Sequence, residues 1–201
     1  MAMEISRLER KKAKTKELIY ETALRLFMKK GFDNTTVDEI AAKADIAKGT
    51  FFNYFPRKEA VLMHITDLRM QQLMRNLPEI LDGETSARCR IEKIMYILGK
   101  INENEKPLTR IVVLETLKNY AAAMGPEEKE KQMQFPNLLR DILRQGQESG
   151  EIRTWVDVDS AARIMEAVYL ATLLEWVDEE QCLVETLLKK MKYIFCGITV
   201  Q

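Results

Sequence analysis

A stretch near the amino terminus, residues 48–54, carries side chains that are suited to contacting a nucleic acid. Lys48 and Thr50 supply an ammonium and a hydroxyl group, both of which hydrogen bond to phosphate oxygens. Asn53 supplies an amide that can pair with the edge of adenine through two hydrogen bonds, and Gly49 lets the backbone approach a phosphate closely. If this stretch is a helix that faces outward, its chemistry is that of a DNA-recognition element.

The aromatic residues of the same stretch divide between two environments. Phe51 and Phe55 lie four positions apart, as on one face of a helix, and we expect both to be buried in a core. Phe52 and Tyr54 project from other faces, where an aromatic ring is exposed unless a partner covers it. The pattern predicts a helix over 47–55, closed by the proline that follows. Its length of about 13 Å is comparable to the major groove, which is about 12 Å wide.

Two preceding helices are predicted to support this segment. Apolar residues at helical spacing indicate a first helix over 11–30, and Gly31 is the expected left-handed residue at its end. Thr36 followed by Glu39 has the form of a capping box, so a short second helix of about nine residues begins there. A tight turn at Asp45 leads into the third helix. This arrangement is that of a three-helix helix-turn-helix module.

The charge of the chain is balanced overall but unevenly distributed. The 201 residues hold 31 Lys and Arg against 31 Asp and Glu. Residues 1–58 hold thirteen basic and eight acidic residues, a net charge of +5, so the remainder carries −5. The amino-terminal end therefore attracts polyanions. A basic run alone is also typical of a solvated helix face, so the charge supports DNA binding only together with the third helix.

Two segments of the chain resemble the DNA-binding domain of TetR-family transcriptional regulators. Residues 31–41 read GFDNTTVDEIA, and residues 47–60 read AKGTFFNYFPRKEA. A weaker similarity lies in residues 146–152, which read GQESGEI and look like the stretch before the penultimate helix of the same family. The resemblance implies an all-helical dimer, usually a repressor, that releases its operator when a small molecule enters the carboxy-terminal domain.

The resemblance also implies roles for individual residues at the DNA. Phosphate contacts fall to Thr36 and Lys58 and, on the third helix, to Thr50 and Tyr54. The positions of Lys48, Phe52 and Asn53 are those that face base edges or the groove wall. The base contact of Asn53 is inferred from its chemistry, because Asn53 is not a family signature. The predicted DNA-binding residues are Thr36, Lys48, Gly49, Thr50, Phe52, Asn53, Tyr54 and Lys58.

Three further positions depart from the pattern of the family. Asp45 stands where a turn glycine is usual, and aspartate tolerates the left-handed conformation at modest cost. Ala47 stands where a serine cap is frequent, so the third helix loses about 1 kcal/mol of capping. Phe52 stands where tyrosine is frequent, which removes one hydroxyl contact to phosphate.

The remaining chain also has helical periodicity, with glycine and proline between the segments and no convincing strand. The predicted fold is all-α with about nine helices: a helix-turn-helix DNA-binding domain over 1–57 and a larger helical ligand-binding and dimerisation domain over 58–201. The predicted helices of the second domain are 58–76, which ends near Pro78, 86–102, 108–124, 127–147, which is interrupted at Pro136, 160–177 and 180–195.

The last two predicted helices are candidates for a dimer interface. The helix over 160–177 is apolar nearly all round, so it needs covering on two sides. With the helix over 180–195, it could form a four-helix interface between two copies of the chain. The alternative is that both are ordinary core helices of a monomer.

Methionine and aromatic side chains of the second domain could line an adaptable apolar cavity. The same residues could equally fill a solid core, so the pocket is implied by the resemblance and not by the residues themselves. The candidate ligand-binding residues are Met70, Met74, Met95, Tyr96, Tyr120, Met165 and Tyr169.

The sequence gives little support for catalysis or for metal binding. It has a single histidine, His64, and lacks a nucleophile motif, a glycine-rich phosphate loop and metal-ligand spacing. Cys89, Cys182 and Cys196 are widely spaced and odd in number, so we expect reduced cysteines rather than a disulfide or a zinc site. We therefore predict a protein that is not an enzyme and that has no cofactor and no metal.

The apolar runs are far shorter than the roughly 20 residues that span a bilayer. The run 167–174, for example, lies between Glu166 and Glu175. The charged amino terminus does not read as a secretory signal, so we expect a cytoplasmic protein without a membrane partner.

These observations predict a ligand-responsive DNA-binding regulator. As a dimer it would bind a palindromic operator in double-stranded DNA, most simply as a repressor, and a small, largely apolar effector of unknown identity would release it. The alternative is a helical scaffold dimer that binds proteins and not DNA. That alternative leaves the net charge of +5 and the groove-sized third helix unexplained.

Overall fold

The structure is a computed structural model that describes residues 7–120 and 134–199, with side chains except those of 116–120. The described residues form nine helices, so the predicted all-α fold is confirmed. Their bounds are α1 Arg7–Lys30, α2 Val37–Lys43, α3 Lys48–Tyr54, α4 Glu59–Ile80, α5 Ala87–Asn104, α6 Lys106–Tyr120, α7 Gln134–Glu148, α8 Val158–Trp176 and α9 Leu183–Ile198. The chain divides into two compact units, Met1–Thr66 and Asp67–Gln201.

The first unit is built around the apolar faces of its helices. Ile19 and Phe27 of α1, Ile40 of α2 and Phe51 of α3 are all buried. The end of α1 forms as predicted: Gly31 has φ +89°, and its N–H donates to the carbonyl of Phe27 at 2.9 Å. Because glycine adopts this left-handed conformation without steric cost, the chain reverses there and leads into α2.

The capping box predicted at the start of α2 is present. The hydroxyl of Thr36 accepts the N–H of Glu39 at 3.2 Å, and the N–H of Thr36 donates to the carboxylate of Glu39 at 3.0 Å. The ammonium of Lys30 also binds that carboxylate at 2.5 Å. The hydrogen bond from Lys30, followed by the one from Thr36, lowers the pKa of Glu39 from 4.5 to about 2.

A pH titration tests this cap. Because the folded-state pKa of Glu39 lies below its ordinary value, its stabilisation is complete above about pH 4.5 and is lost as the pH falls toward 2. We expect Glu39→Gln to lower the melting temperature most above pH 4.5 and to converge with the parent near pH 2. Glu17→Gln, which removes an exposed carboxylate of α1, is the control. Parallel melting curves for Glu39→Gln and the parent across this range would show that the ionised carboxylate of Glu39 contributes nothing to stability.

The turn between α2 and α3 depends on Asp45. Asp45 has φ +52°, which confirms the left-handed conformation predicted at this position. Ala47 is the N-cap of α3 and makes no side-chain capping bond, as its side chain predicts. Both α2 and α3 are seven residues long instead of about nine, because their first and last predicted residues serve as caps. The rod of α3 is therefore shorter than the sequence indicated.

The second unit has one main apolar core, to which α4, α5, α7, α8 and α9 contribute. Its most buried large side chains are Ile91, Ile94, Met95, Leu139, Ile142, Leu143, Ile152 and Phe195. A smaller cluster joins α6, α8 and α9 around Leu173, Trp176 and Leu187.

The segment GQESGEI closes α7 against α5. A β-carbon on Gly146 would lie 2.6 Å from Cγ1 of Ile152 and 2.7 Å from Cβ of Ala87, so only glycine fits there. Gly150 has φ +79°, and Glu151 accepts the N–H of Ala87 at 2.6 Å. The weaker resemblance in this segment therefore has a physical basis in a close helix contact, a left-handed turn and a cap for α5.

The two helical prolines differ in what the structure shows of them. The helix expected to end near Pro78 continues through it to Ile80 as α4. Only the last turn of α4 follows this proline, so a single intrahelical bond is lost. Helix α7 runs from Gln134 through Pro136 to Glu148. The part of the predicted segment that precedes it, 127–133, lies outside the described residues, so the interruption predicted at Pro136 stays a prediction.

Other helix ends differ by a few residues. The first helix begins at Arg7 instead of residue 11. The last two helices begin after the caps Asp157 and Cys182, at Val158 and Leu183. The parts of two predicted helices that fall within 121–133 lie outside the described residues.

Candidate nucleic-acid interface

Helix α3 turns one face to the core of the first unit and the other to solvent. Phe51 is 0% exposed and Phe55 is buried, whereas Phe52 is 45% exposed. Lys48 and Asn53 are exposed as well. The burial of Phe51 and Phe55 and the exposure of Phe52 are therefore as predicted, whereas Tyr54 is half-buried. Lys48 and Asn53 are accessible to a partner.

Lys48 at the start of α3 forms an ion pair with α2. Its ammonium lies 2.8 Å from the carboxylate of Asp38, and both side chains are more than half exposed. An exposed pair of this kind stabilises by at most about 1 kcal/mol, so a phosphate can compete for Lys48. Gly49 beside it is exposed, and a β-carbon there would meet no atom within 4 Å.

A recess of about 590 Å³ lies between α1 and α3. It is lined by Lys12, Ala13, Lys16, Thr50, Asn53 and Tyr54. Two lysines, two hydroxyls and an amide thus converge on one concave surface, which we call the α1–α3 recess. Thr50 and Tyr54 are half-buried along it. This chemistry suits a phosphate, which accepts hydrogen bonds and carries negative charge.

The lysines of the recess were not among the predicted site residues. Lys12 and Lys16 lie four residues apart, hence on one face of α1. The ammonium of Lys16 is 5.6 Å from the centroid of the Phe55 ring, close enough for a cation–π interaction. Their spacing was a usable signal, but nothing in it showed that this face of α1 lies beside α3.

Lys58 and Thr36 lie near the loop between α1 and α2. The ammonium of Lys58 donates to the carbonyls of Phe32 at 2.7 Å and of Thr35 at 2.9 Å. It also lies 4.1 Å from the centroid of the Phe32 ring. An ammonium has three donors, so one remains for a phosphate. The hydroxyl of Thr36 is exposed and takes part in the capping box with Glu39.

The candidate ligand-binding residues of the second unit do not form one group. Met70, Met95, Met165 and Tyr169 belong to the main core or pack against it. Met74 and Tyr96 lie on the surface instead. The side chain of Tyr120 lies outside the described residues.

A buried polar cluster lies beside this core. The amide of Asn102 donates to the hydroxyl of Tyr169 at 2.9 Å, and its carbonyl oxygen accepts from Thr109 at 3.0 Å and from Arg69 at 3.2 Å. Burial raises the pKa of the Tyr169 hydroxyl to about 12, because the phenolate would lose its hydration.

The two helices predicted for a dimer interface are α8 and α9. Each buries one side in its own core, yet large apolar side chains remain exposed on the other side. Ile164 of α8 is 54% exposed, Tyr193 of α9 is 66% exposed, and Leu170 of α8 is also exposed. The exposed side chains of α8 agree with the expectation that this helix is apolar on two sides.

The described residues show neither a membrane span nor a metal site. None of their helices has the length and apolarity of a membrane span. No group of three or more His, Cys, Asp or Glu side chains within 7–120 and 134–199 could hold a metal ion.

The chain is similar to known regulatory proteins of bacteria. Residues 19–65 match the family described as bacterial regulatory proteins, tetR family. The fatty acid metabolism regulator protein of Bacillus subtilis (strain 168) is 26% identical over 166 residues, which are 81% of this chain and 84% of that protein. These relatives are transcriptional regulators and not enzymes.

Solved structures of regulators share the fold. FadR of Thermus thermophilus, a TetR-family transcriptional repressor in complex with lauroyl-CoA, has a TM-score of 0.76 and 25% identity, over 92% of this chain and 96% of that chain. FadR of Bacillus subtilis, in complex with stearoyl-CoA, has a TM-score of 0.73 and 23% identity, over 90% and 98%. The second likeness is one of fold alone.

Proposed function

This chain belongs to the TetR family of bacterial transcriptional regulators, and on that premise we propose that it represses transcription by binding a palindromic operator. Regulators of this family bind DNA as dimers and respond to small molecules. The observation that carries the proposal is the outward face of α3, where Lys48, Thr50, Asn53 and Tyr54 adjoin the lysines of the α1–α3 recess.

We assign DNA binding to residues 1–57, and ligand binding and dimerisation to residues 58–201. The loop between Tyr54 and Glu59 supports this boundary, because it separates α3 from α4. Helix α4 runs through the division between the two compact units at Thr66. It therefore offers a continuous connection from the ligand-binding domain to Lys58.

We further propose that α8 and α9, predicted as 160–177 and 180–195, form the dimer interface. Exposed Ile164, Leu170 and Tyr193 support this assignment, because a partner would remove apolar surface from water. A two-fold arrangement would set two copies of α3 in successive major grooves, about one helical turn apart or a multiple of it.

The effector proposed for this chain is an acyl-CoA. Support comes from the Thermus thermophilus relative, which binds lauroyl-CoA at 25% identity. Binding would shift α4 and Lys58 and so change the spacing of the recognition helices. An effector with a hundredfold preference for the released arrangement supplies about 2.7 kcal/mol of coupling. Because a bacterial chromosome lies in the cytoplasm, we propose that this regulator is cytoplasmic.

The decisive test is a mobility shift with random and genomic duplex DNA at two salt concentrations. A regulator loses affinity steeply as salt rises, because bound lysines release counterions from the phosphates. The fragments that the protein selects from its genome would then give the operator. A scaffold dimer that binds only proteins would show no affinity for duplex DNA at either salt concentration, and that result would end the proposal.

Substituting the lysines of the α1–α3 recess tests its part in phosphate binding. We expect Lys12→Ala and Lys16→Ala each to weaken binding to all sequences, and to reduce the slope of log affinity against log salt by about 1. Lys14→Ala is the matched control, because Lys14 is exposed on the same helix but does not line the recess. Equal slopes for all three variants would remove the recess from the interface.

Asn53 should act on sequence preference and not on general affinity. Loss of a bidentate contact to adenine is expected to relax the preference at one base position by about 1–3 kcal/mol. Selection from a randomised operator library would compare Asn53→Ala with the parent. A uniform loss of affinity across the library, with the base preferences intact, would assign Asn53 to the backbone contacts instead.

A further inference from the structure

The hydroxyl of Tyr169 on α8 has a proton that no acceptor receives in the described part of the chain. The oxygen accepts the amide of Asn102 at 2.9 Å. The ring of Tyr169 is only partly exposed, and its hydroxyl end is buried enough to raise its pKa. Buried tyrosine hydroxyls usually find a hydrogen-bond partner, so a donor that is left over here indicates a place for one.

The direction of this proton is fixed by Asn102. The amide nitrogen of Asn102 donates to the carbonyl of Leu98 at 2.7 Å and to Tyr169. Its oxygen accepts from Thr109 and from Arg69. All four hydrogen-bonding positions of the side chain are thus in use, and the amide cannot turn over without losing them. Tyr169 must accept from Asn102, so its own proton points elsewhere.

The surroundings of Tyr169 favour an uncharged acceptor. The ring of Phe135 lies 5.4 Å from the ring of Tyr169, centroid to centroid, and the neighbouring core is apolar. The guanidinium of Arg69, which lies close enough to affect Tyr169, is paired with the carboxylate of Glu105. A free carboxylate entering here would be buried without a cation of its own, which is costly. A neutral carbonyl oxygen would not carry this cost, because it brings no net charge into the apolar surroundings.

We propose that the Tyr169 hydroxyl donates a hydrogen bond to the carbonyl oxygen of a neutral acyl group in the effector, whose hydrocarbon chain packs against the apolar core beside Phe135. This inference rests on the proposed function and narrows it, since it makes the carbonyl, and not only the chain, a determinant of recognition. Arg69 of α4 shares Asn102 with Tyr169. Three hydrogen bonds, through Tyr169 and Asn102, would therefore join the acyl carbonyl to Arg69 of α4.

The test removes one partner of the hydrogen bond at a time, either the carbonyl of the ligand or the hydroxyl of Tyr169. Calorimetric titrations of the full-length protein would compare lauroyl-CoA with S-dodecyl-CoA, a thioether in which the carbonyl is absent, on the parent and on Tyr169→Phe. We expect the parent to bind lauroyl-CoA about five- to tenfold more tightly than the thioether. Tyr169→Phe should lose that preference and bind both ligands as the parent binds the thioether. Dodecanoate should bind the parent more weakly than lauroyl-CoA.

Tyr96→Phe is the matched control, because it removes a hydroxyl from an exposed tyrosine of the same unit. The proposal is wrong if the parent does not distinguish lauroyl-CoA from the thioether, and this comparison needs no variant to fold. It is also wrong if Tyr169→Phe keeps the preference, or if the parent binds neither ligand. Tight binding of lauroyl-CoA that requires the carbonyl and Tyr169, but leaves DNA affinity unchanged, would support this inference while overturning the proposed effector response.

Discussion

Phe51→Ala is expected to destabilise the DNA-binding unit by about 3–5 kcal/mol. The side chain of Phe51 is 0% exposed, and its ring packs against those of Phe52 and Phe55 at 5.5 and 5.9 Å between centroids. Removing a buried phenyl ring loses its transfer free energy and leaves a cavity that the surrounding helices can only partly fill. A loss of this size is comparable to the whole stability of a small domain.

Hydrogen exchange resolved by peptide would measure the effect, since it reports stability unit by unit. Protection should fall over 37–55 and persist in α5 and α9. Phe52→Ala is the control, because it removes the same ring from the adjacent, 45% exposed position. Because it also loses the edge-to-face contact with Phe51, its destabilisation should be about 1 kcal/mol, well below that of Phe51→Ala, although its operator affinity should fall. Similar losses of protection in both variants would mean that α3 is not oriented as described.

The supporting framework of the candidate site could be predicted because its signals are local. Gly31, the capping box of Thr36 and Glu39, and the left-handed residue Asp45 each specify a backbone conformation from a few neighbouring side chains. The apolar spacing of α3 likewise predicted which aromatic ring is buried. The length predicted for α3 was too large. Residues that cap a short helix are of the same types as residues inside it, so the sequence did not show where the helix begins and ends.

The α1–α3 recess could not be predicted, because it depends on how two helices cross. Lys12 and Lys16 are one basic pair among several on α1, and only the packing of α1 on α3 brings them beside Asn53. The same holds for the ammonium of Lys58, whose two carbonyl acceptors lie 23 and 26 residues away in sequence. A charge count indicates an attraction to polyanions, but the fold determines which charges meet at one surface.

The sequence also could not show which apolar residues of the second unit fill the core. Methionine and tyrosine at helical spacing have the same pattern whether they fill a core or line a cavity. The structure separates the candidates by burial: Met165 is 0% exposed and Met74 is 42% exposed. The hydrogen bond between Tyr169 and Asn102 joins residues 67 positions apart, so no local pattern could have indicated it.

Met165→Ala distinguishes a core methionine from one that lines a ligand cavity. Met165 is a fully buried member of the main core, to which α4, α5, α7, α8 and α9 contribute. If the side chain is surrounded by protein, its removal leaves a void and should cost about 2–5 kcal/mol. Met74→Ala, at an exposed position of α4, should cost less than about 0.5 kcal/mol.

Urea unfolding followed by tryptophan fluorescence suits this comparison, because Trp155 and Trp176 both belong to the second unit. The midpoint should fall clearly for Met165→Ala and hardly for Met74→Ala. A small loss for Met165→Ala, together with altered affinity for lauroyl-CoA, would contradict its place in a solid core. The side chain would then border space that a ligand fills, since truncation beside an existing cavity removes few contacts and creates little new void.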